Sequence, residues 1–204
     1  MTKTNEATQK RLNMHEALRA DMLSQSYVEK NCTLSVVKAN IYALLITLPF
    51  IIPLYILYLS IWGETIFIVD LKSMGIFFAA IFISILIHEA IHGFTFAAFC
   101  QNGLKSIHYG ILWNSLTPYC HCSEPLKFKH YITGGLMPFI ILGLGITSLA
   151  IILGNSFLLL LGLLNILAAG GDLLIAVYLV KYRNAVIVDH PDKIGFIAYQ
   201  HKEA

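Results

Sequence analysis

Four long apolar stretches dominate the pattern of the chain, at about residues 40–62, 76–100, 133–153 and 156–180. Each is long enough to cross the hydrocarbon core of a bilayer, which is about 30 Å thick and needs about 20 helical residues. Only Gly154 and Asn155 separate the third and fourth stretches, so these would form a tight hairpin, with a single re-entrant pair as the alternative. The pattern therefore predicts an all-α membrane protein with four transmembrane helices.

Composition and charge agree with this prediction. Of the 204 residues, 57% are hydrophobic and only 13% are charged, a balance typical of polytopic membrane proteins. The formal net charge of +2 gives no reason to expect a nucleic-acid partner. The composition therefore predicts a protein that is embedded in a lipid bilayer.

The distribution of basic residues predicts an orientation in the membrane. Every lysine and arginine except Lys72 falls in residues 1–39, 101–132 or 181–204. Because basic residues concentrate in cytoplasmic segments, both termini are predicted to be cytoplasmic. The predicted organisation is a cytoplasmic N-terminal segment, a membrane-embedded domain and a cytoplasmic tail, at residues 1–38, 39–181 and 182–204.

An ionisable segment interrupts the second apolar stretch: His88-Glu89-Ala90-Ile91-His92. On a helix this spacing puts two imidazoles one turn apart on one face, with a carboxylate beside them. Ionisable side chains are costly at membrane depth and mark functional sites there. We therefore predict that His88 and His92 bind a metal ion and that Glu89 is a general base. A structural polar cluster is the alternative interpretation.

Asp172 is the other acidic residue deep inside a predicted span. His92 and Asp172 each lie nine residues before the end of their spans, so both are roughly 13 Å from the same boundary. Two imidazoles and one carboxylate leave the fourth position of a tetrahedral Zn²⁺ open for water. The sequence thus predicts a zinc site of His88, His92 and Asp172. A role in helix packing is the alternative for Asp172.

Neighbouring residues on these spans are candidates for supporting roles. Gly170-Gly171 would let a helix or a substrate backbone approach closely. Asn165 shares a helix face with Asp172 and could hydrogen-bond a substrate or an oxyanion, although a contact between helices is the alternative. Ser84, one turn before His88, is a candidate hydrogen-bond partner for that imidazole.

The segment between the second and third stretches has a strand-like pattern. Ile107, Tyr109 and Ile111 alternate with polar or small residues, and Asn114-Ser115 could turn the chain back. A short β-hairpin-like cytoplasmic loop is therefore predicted over residues 105–122. Its edge could bind an unwound substrate segment by strand addition, and the alternative is an interfacial loop anchored by aromatic residues such as Trp113.

The same segment contains Cys120-His121-Cys122, which raises the possibility of a second metal site. His108 and His130 are the candidates for completing it. The alternative is that these are reduced thiols or packing residues, because all four cysteines fall on or near the predicted cytoplasmic side, where disulfides are not expected.

Several motifs in this order resemble the putative zincin peptidases, a family of small bacterial membrane proteins named for a domain of unknown function. The motifs are the His88–Gly93 helix, the Tyr119–Pro125 loop, Gly135-Leu136-Met137-Pro138, Gly171-Asp172 and Asp189-His190-Pro191. The likeness runs from about residue 36 to 199, and the family is similar to the site-2 class of intramembrane metalloproteases. The resemblance implies zinc, a bacterial plasma membrane, and a His-Glu-x-x-His helix with a distal Asp ligand. These residues correspond to His88, Glu89, His92 and Asp172.

The chain also departs from the pattern of the site-2 class. In that class the distal Asp is usually followed by Gly, with an Asn and a Pro upstream. Here Leu173 follows Asp172, and Pro138 lies on a different span from Asn165. The Asp189-His190-Pro191-Asp192 segment is interpreted as a solvated turn after the last helix, with a gate over the site as the alternative.

The expected function is that of a zinc-dependent endopeptidase acting on a membrane protein or peptide substrate. Two alternative functions would use the same residues. One is a divalent-metal transporter, against which stand the absence of an inverted repeat in the sequence and the presence of Glu89. The other is a pseudoprotease that binds membrane partners without cleaving them.

Overall fold

The computed structural model describes residues 3–67, 70–112, 117–191 and 193–201. The helices are α1 (Lys3–Ser24), α2 (Val36–Trp62), α3 (Leu71–Ala97), α4 (Phe128–Pro138), α5 (Ile146–Leu153), α6 (Ser156–Ala168) and α7 (Gly170–Leu179). A π-helical segment, Phe139–Gly145, joins α4 to α5. The strands are β1 (Tyr27–Thr33), β2 (Ile107–Leu112), β3 (Thr117–Cys122), β4 (Leu126–Lys127), β5 (Val186–Asp189) and β6 (Gly195–His201).

Three helical stretches are long and apolar enough to cross a bilayer: Val37–Trp62, Leu71–Ala97 and Phe128–Leu153. The pair Ser156–Ala168 and Gly170–Tyr182, bent by 41° at its break, makes a fourth if it counts as one span. The described part of the chain therefore has three or four candidate spans. Their apolar side chains are widely exposed, as in Phe78 and Ile152, which suits helices surrounded by lipid.

The chain divides into two compact units. The membrane unit comprises Val37–His92 and Gly135–Ala176. The sheet unit comprises the N-terminal segment up to Val36, Gly93–Gly134 and the chain from Val177 onward. The membrane unit contains His88, His92 and Asp172, and the sheet unit contains every strand found in the described residues.

One buried cluster of the membrane unit lies around α6 and α7. Phe139 in the π-helical segment packs with Ile166, Ala169 and Leu173. Gly143 lets the π-helical segment approach α6, since a Cβ at this position would lie 2.9 Å from Ile166 Cγ1. The cluster includes Ala169, which lies between the end of α6 and the start of α7.

The sheet unit corrects the prediction that the fold is all-α. β1, β6, β5 and β4 form a four-stranded sheet in that order, and each neighbouring pair is antiparallel. The long pairing of β1 with β6 joins the N-terminal segment to the predicted tail, from Tyr27 opposite His201 to Thr33 opposite Gly195. Met22 of α1 packs on this sheet against Val188, Ile197 and Tyr199. The fold is therefore mostly helical with a small sheet.

Asp189 is built into this sheet, so its interpretation as part of a solvated turn is wrong. It is the last residue of β5, and its side chain is only 15% exposed. The carboxylate accepts hydrogen bonds from the Cys122 backbone N–H at 2.7 Å and from the Tyr131 hydroxyl. Asp189 thus joins β5 to β3 and α4. Asp192, from the same motif, lies outside the described residues.

β2 and β3 form a separate antiparallel pair where the sequence predicts a hairpin. The register runs from Ile107 opposite Cys122 to Leu112 opposite Thr117. Residues 113–116, which include Trp113 and the predicted turn at Asn114-Ser115, lie outside the described residues. The cytoplasmic location of this pair and its role in substrate binding stay predictions.

The carboxylate of Glu124 ties together the loops that follow α3 and β3, and we call this arrangement the Glu124 clamp. It accepts hydrogen bonds from the backbone N–H of Gln101 at 2.7 Å, from the backbone N–H of Asn102 at 3.0 Å, and from the Ser106 hydroxyl. Desolvation raises the pKa of Glu124, but these hydrogen bonds outweigh it and hold the pKa below its ordinary value.

This lowered pKa predicts an acid-sensitive contribution to stability. The contribution is complete above the ordinary pKa of 4.5 and is lost as the pH falls through the lower pKa of the folded state. We expect Glu124→Gln to lower the thermal unfolding midpoint at pH 7 by roughly 2–4 °C and to remove part of the fall in this midpoint that is expected for the unmodified chain between pH 5 and 3. Unfolding followed by circular dichroism across this pH range measures both effects. Glu64→Gln, at an exposed position, is the control, and an unchanged pH profile in Glu124→Gln would contradict the clamp.

Candidate metal centre

Three side-chain atoms converge inside the membrane unit. His88 Nε2 lies 3.1 Å from Asp172 Oδ2, His92 Nε2 lies 3.4 Å from the same oxygen, and the two Nε2 atoms are 3.2 Å apart. The histidines are 8% and 7% exposed, and the Asp172 side chain is 27% exposed. The predicted ligands, 80 residues apart in sequence, therefore meet in one place.

The separations of these atoms match a zinc coordination shell. Zinc binds imidazole nitrogen and carboxylate oxygen at about 2.0–2.2 Å, so two ligands at tetrahedral angles are about 3.3 Å apart. The three separations, 3.1, 3.2 and 3.4 Å, bracket that value. The donor set also fits, because two neutral imidazoles and one carboxylate leave one tetrahedral position open. The residues present thus fit a catalytic type of zinc site.

The α3 helix sets the geometry of the two imidazoles. His88 and His92 are separated by four residues, so their side chains project from successive turns of one face. Their ring centroids are 4.8 Å apart and the rings are inclined by 73°. Two imidazoles so arranged can direct one nitrogen each toward a shared point. The predicted His-Glu-x-x-His geometry on α3 is therefore present.

The start of α7 supplies the carboxylate. Asp172 lies in the first turn of α7, just after the break from α6. Gly170 lies at this break in close contact with α2, since a Cβ at this position would be 2.8 Å from the carbonyl oxygen of Ala43. The close approach predicted at Gly170-Gly171 is therefore present at Gly170, where the neighbouring helix is α2. Neither the periodicity nor the charge pattern of the sequence indicates that Ala43 lies against Gly170.

The two neighbouring glycines give a matched pair of substitutions. Gly170→Ala should destabilise the membrane unit by about 1–3 kcal/mol and weaken zinc binding, because the added methyl forces α7 away from α2. Gly171→Ala should have little effect, since a Cβ there meets no atom within 4 Å. Thermal unfolding and zinc retention in detergent measure both effects. Equal losses in the two variants would contradict the idea that contact with α2 positions Asp172.

The remaining predicted site residues are placed as follows. Glu89 is half-buried on α3 beside His88. Asn165 is buried in α6 and donates one amide N–H to the Leu161 carbonyl at 2.8 Å, so its role toward a substrate or an oxyanion stays a prediction. The Ser84 hydroxyl donates to the Ile81 carbonyl at 2.9 Å on its own helix, and its support of His88 is likewise a prediction.

The Cys120-His121-Cys122 segment does not join a metal cluster among the residues that the structure describes. Within them, His88, His92 and Asp172 are the one group of three ligand-type residues whose ligand atoms all lie within 4.8 Å of one another. His121 instead lies near Asp189, with 3.8 Å between Nδ1 and Oδ2. Its burial lowers the pKa of this imidazole despite the nearby carboxylate, so it is a neutral core residue.

Comparison with known proteins identifies one matching family. The model of a family described as putative zincin peptidase matches residues 81–187. This range covers slightly more than half of the chain and includes His88, Glu89, His92 and Asp172. No curated protein and no solved structure matches the chain.

Proposed function

The chain belongs to the putative zincin peptidase family, and from this premise we propose that it is a zinc-dependent endopeptidase that cleaves membrane-embedded or membrane-adjacent segments. The observation that carries the proposal is the convergence of His88 Nε2, His92 Nε2 and Asp172 Oδ2, which lie within 3.4 Å of one another. An aspartate and two histidines among apolar helices are costly unless they serve a bound cation or each other. A zinc peptidase would use the two imidazoles and the Asp172 carboxylate as metal ligands and Glu89 as a general base.

The residues divide the chemistry between them. His88 and His92 would hold zinc through Nε2, and Asp172 would add a carboxylate that offsets part of the ionic charge. Zinc, when bound, supplies the Lewis acidity that polarises the scissile carbonyl and makes water a better acid. Glu89, next to His88 on α3, accepts the proton that water loses as its oxygen adds to the carbonyl carbon. Glu89 then delivers this proton to the nitrogen as the C–N bond breaks.

The proposed setting is the plasma membrane of a bacterium, with both termini in the cytoplasm. The concentration of lysine and arginine in residues 1–39, 101–132 and 181–204 supports this orientation. The metal ligands are predicted to lie roughly 13 Å from the cytoplasmic boundary. Water for hydrolysis would then enter from the cytoplasm, because the hydrocarbon core cannot supply it.

Removal and return of the metal tests the proposal. Purified protein in liposomes should cleave a model transmembrane peptide, lose this activity after treatment with a zinc chelator, and regain it with about one zinc per chain but not with magnesium. Magnesium is the control because it prefers oxygen ligands. Cleavage that survives complete metal removal would refute the zinc mechanism. Zinc flux without cleavage would indicate a transporter, and peptide binding without turnover would indicate a pseudoprotease.

A further inference from the structure

Two cysteine thiols in the sheet unit lie in direct contact. Cys100 follows the end of α3 and Cys122 ends β3, and their Sγ atoms are 3.2 Å apart. Neither forms a disulfide in this structure, and closing one would bring the two sulfur atoms together to about 2.05 Å and remove two electrons and two protons from the thiols. We propose that Cys100 and Cys122 are a reversible redox site that closes to a disulfide when the protein meets a small-molecule disulfide. This proposal does not depend on the peptidase function.

The Glu124 clamp holds the two thiols in position. It binds the backbone N–H groups of Gln101 and Asn102, directly after Cys100, and Glu124 itself lies two residues after Cys122. A second tie is made by Ser123, whose backbone N–H donates to the Ser106 carbonyl at 2.9 Å. The backbone segments on either side of the two thiols are thus held in place by hydrogen bonds. Such pre-positioning raises the effective concentration of one thiol at the other and favours closure over reaction with further oxidant.

Unequal exposure of the thiols sets the order of events. Cys122 is 1% exposed, whereas Cys100 is half-buried and is therefore the thiol that the oxidant reaches. The Cys100 thiolate attacks the small disulfide, forms a mixed disulfide and releases one small thiol. The Cys122 thiolate then attacks Cys100 Sγ, forms the Cys100–Cys122 bond and releases the second small thiol. The protein thiols together lose two electrons and two protons, and the small disulfide is reduced to two thiols.

The pair should be reduced at rest. Burial raises the pKa of Cys100 and of Cys122, so both are protonated thiols at neutral pH and react slowly. A cytoplasmic location, as the charge distribution predicts, would keep them so. Closure is then a response to excess oxidant, and it would connect the end of α3 covalently to β3.

Mass spectrometry of the full-length protein in detergent tests this site. After treatment with excess cystamine and alkylation of remaining thiols, two of the four cysteines should resist alkylation and the chain should lose two mass units without retaining cysteamine. Peptide mapping should assign the link to Cys100 and Cys122, and dithiothreitol should reverse it. A stable cysteamine adduct on Cys100, or four alkylated thiols, would overturn the proposal.

Three variants sharpen the result. Cys120→Ser, on the same strand as Cys122, should retain the crosslink, and Cys122→Ser should instead keep cysteamine on Cys100. Glu124→Gln, which retains every cysteine, should slow closure by about tenfold because the clamp is weakened. It also keeps the proposal testable should Cys122→Ser fail to fold. A crosslink that requires Cys120, or closure unaffected by Glu124→Gln, would overturn the proposed site.

Discussion

Glu89→Gln should reduce peptide hydrolysis by about 10²–10⁴-fold while leaving zinc content unchanged. Glutamine has the same shape as glutamate but cannot accept the proton from water at neutral pH. His88, His92 and Asp172 supply all three converging ligand atoms, so the substitution removes none of them. The turnover number for a transmembrane peptide in liposomes and the zinc content per chain measure the two parts of this prediction.

A matched substitution at a distant glutamate separates the loss of a general base from any effect that a Glu→Gln change has elsewhere in the chain. Glu64→Gln makes the same change at an exposed position outside the described helices and should retain full activity. Wild-type turnover in Glu89→Gln would rule out Glu89 as the general base. Loss of zinc together with activity would show instead that Glu89 holds the metal.

The second large effect is expected at Asp172. Asp172→Asn should weaken zinc binding by more than about 100-fold, since changes to residues that merely support metal ligands already cost about 10–100-fold. The amide has no charge to offset that of zinc, and it leaves two imidazoles as the anchored ligands. Competition against a fluorescent zinc chelator measures the affinity.

Controls for Asp172→Asn come from the same chain. Asp21→Asn changes an exposed carboxylate on α1 and should leave zinc affinity unchanged. His92→Ala should weaken binding at least as much as Asp172→Asn, since it removes a ligand from the same shell. Wild-type affinity in Asp172→Asn would mean that the carboxylate contacts the histidines without sharing a metal with them.

The convergence of His88, His92 and Asp172 could be predicted from the sequence because its parts are encoded locally. The spacing of His88 and His92 determines their common helix face, and the isolation of Asp172 within an apolar stretch indicates it as a candidate ligand. Equal distances from the ends of two predicted spans then lead us to expect the three side chains at similar depth. Contact with Ala43 was not predictable in this way, because neither periodicity nor charge indicates which helix lies against Gly170.

The four-stranded sheet could not be predicted because its strands pair over long sequence distances. β1 and β6 are about 160 residues apart, and no local pattern shows that these two segments pair. In β6 the residues Phe196, Ile197, Ala198 and Tyr199 are buried consecutively, without the alternation typical of a half-exposed strand. Asp189 was misinterpreted for the same reason, since its partners Cys122 and Tyr131 come from distant segments.

Zinc K-edge X-ray absorption of the purified, zinc-loaded protein tests the central claim most directly. We predict one zinc per chain with two imidazole ligands, nitrogen and oxygen neighbours at about 2.0–2.2 Å, and no sulfur neighbour. Asp172→Asn should alter this spectrum, whereas Asp21→Asn should not. Sulfur at about 2.3 Å, or fewer than two imidazoles around the metal, would contradict the account.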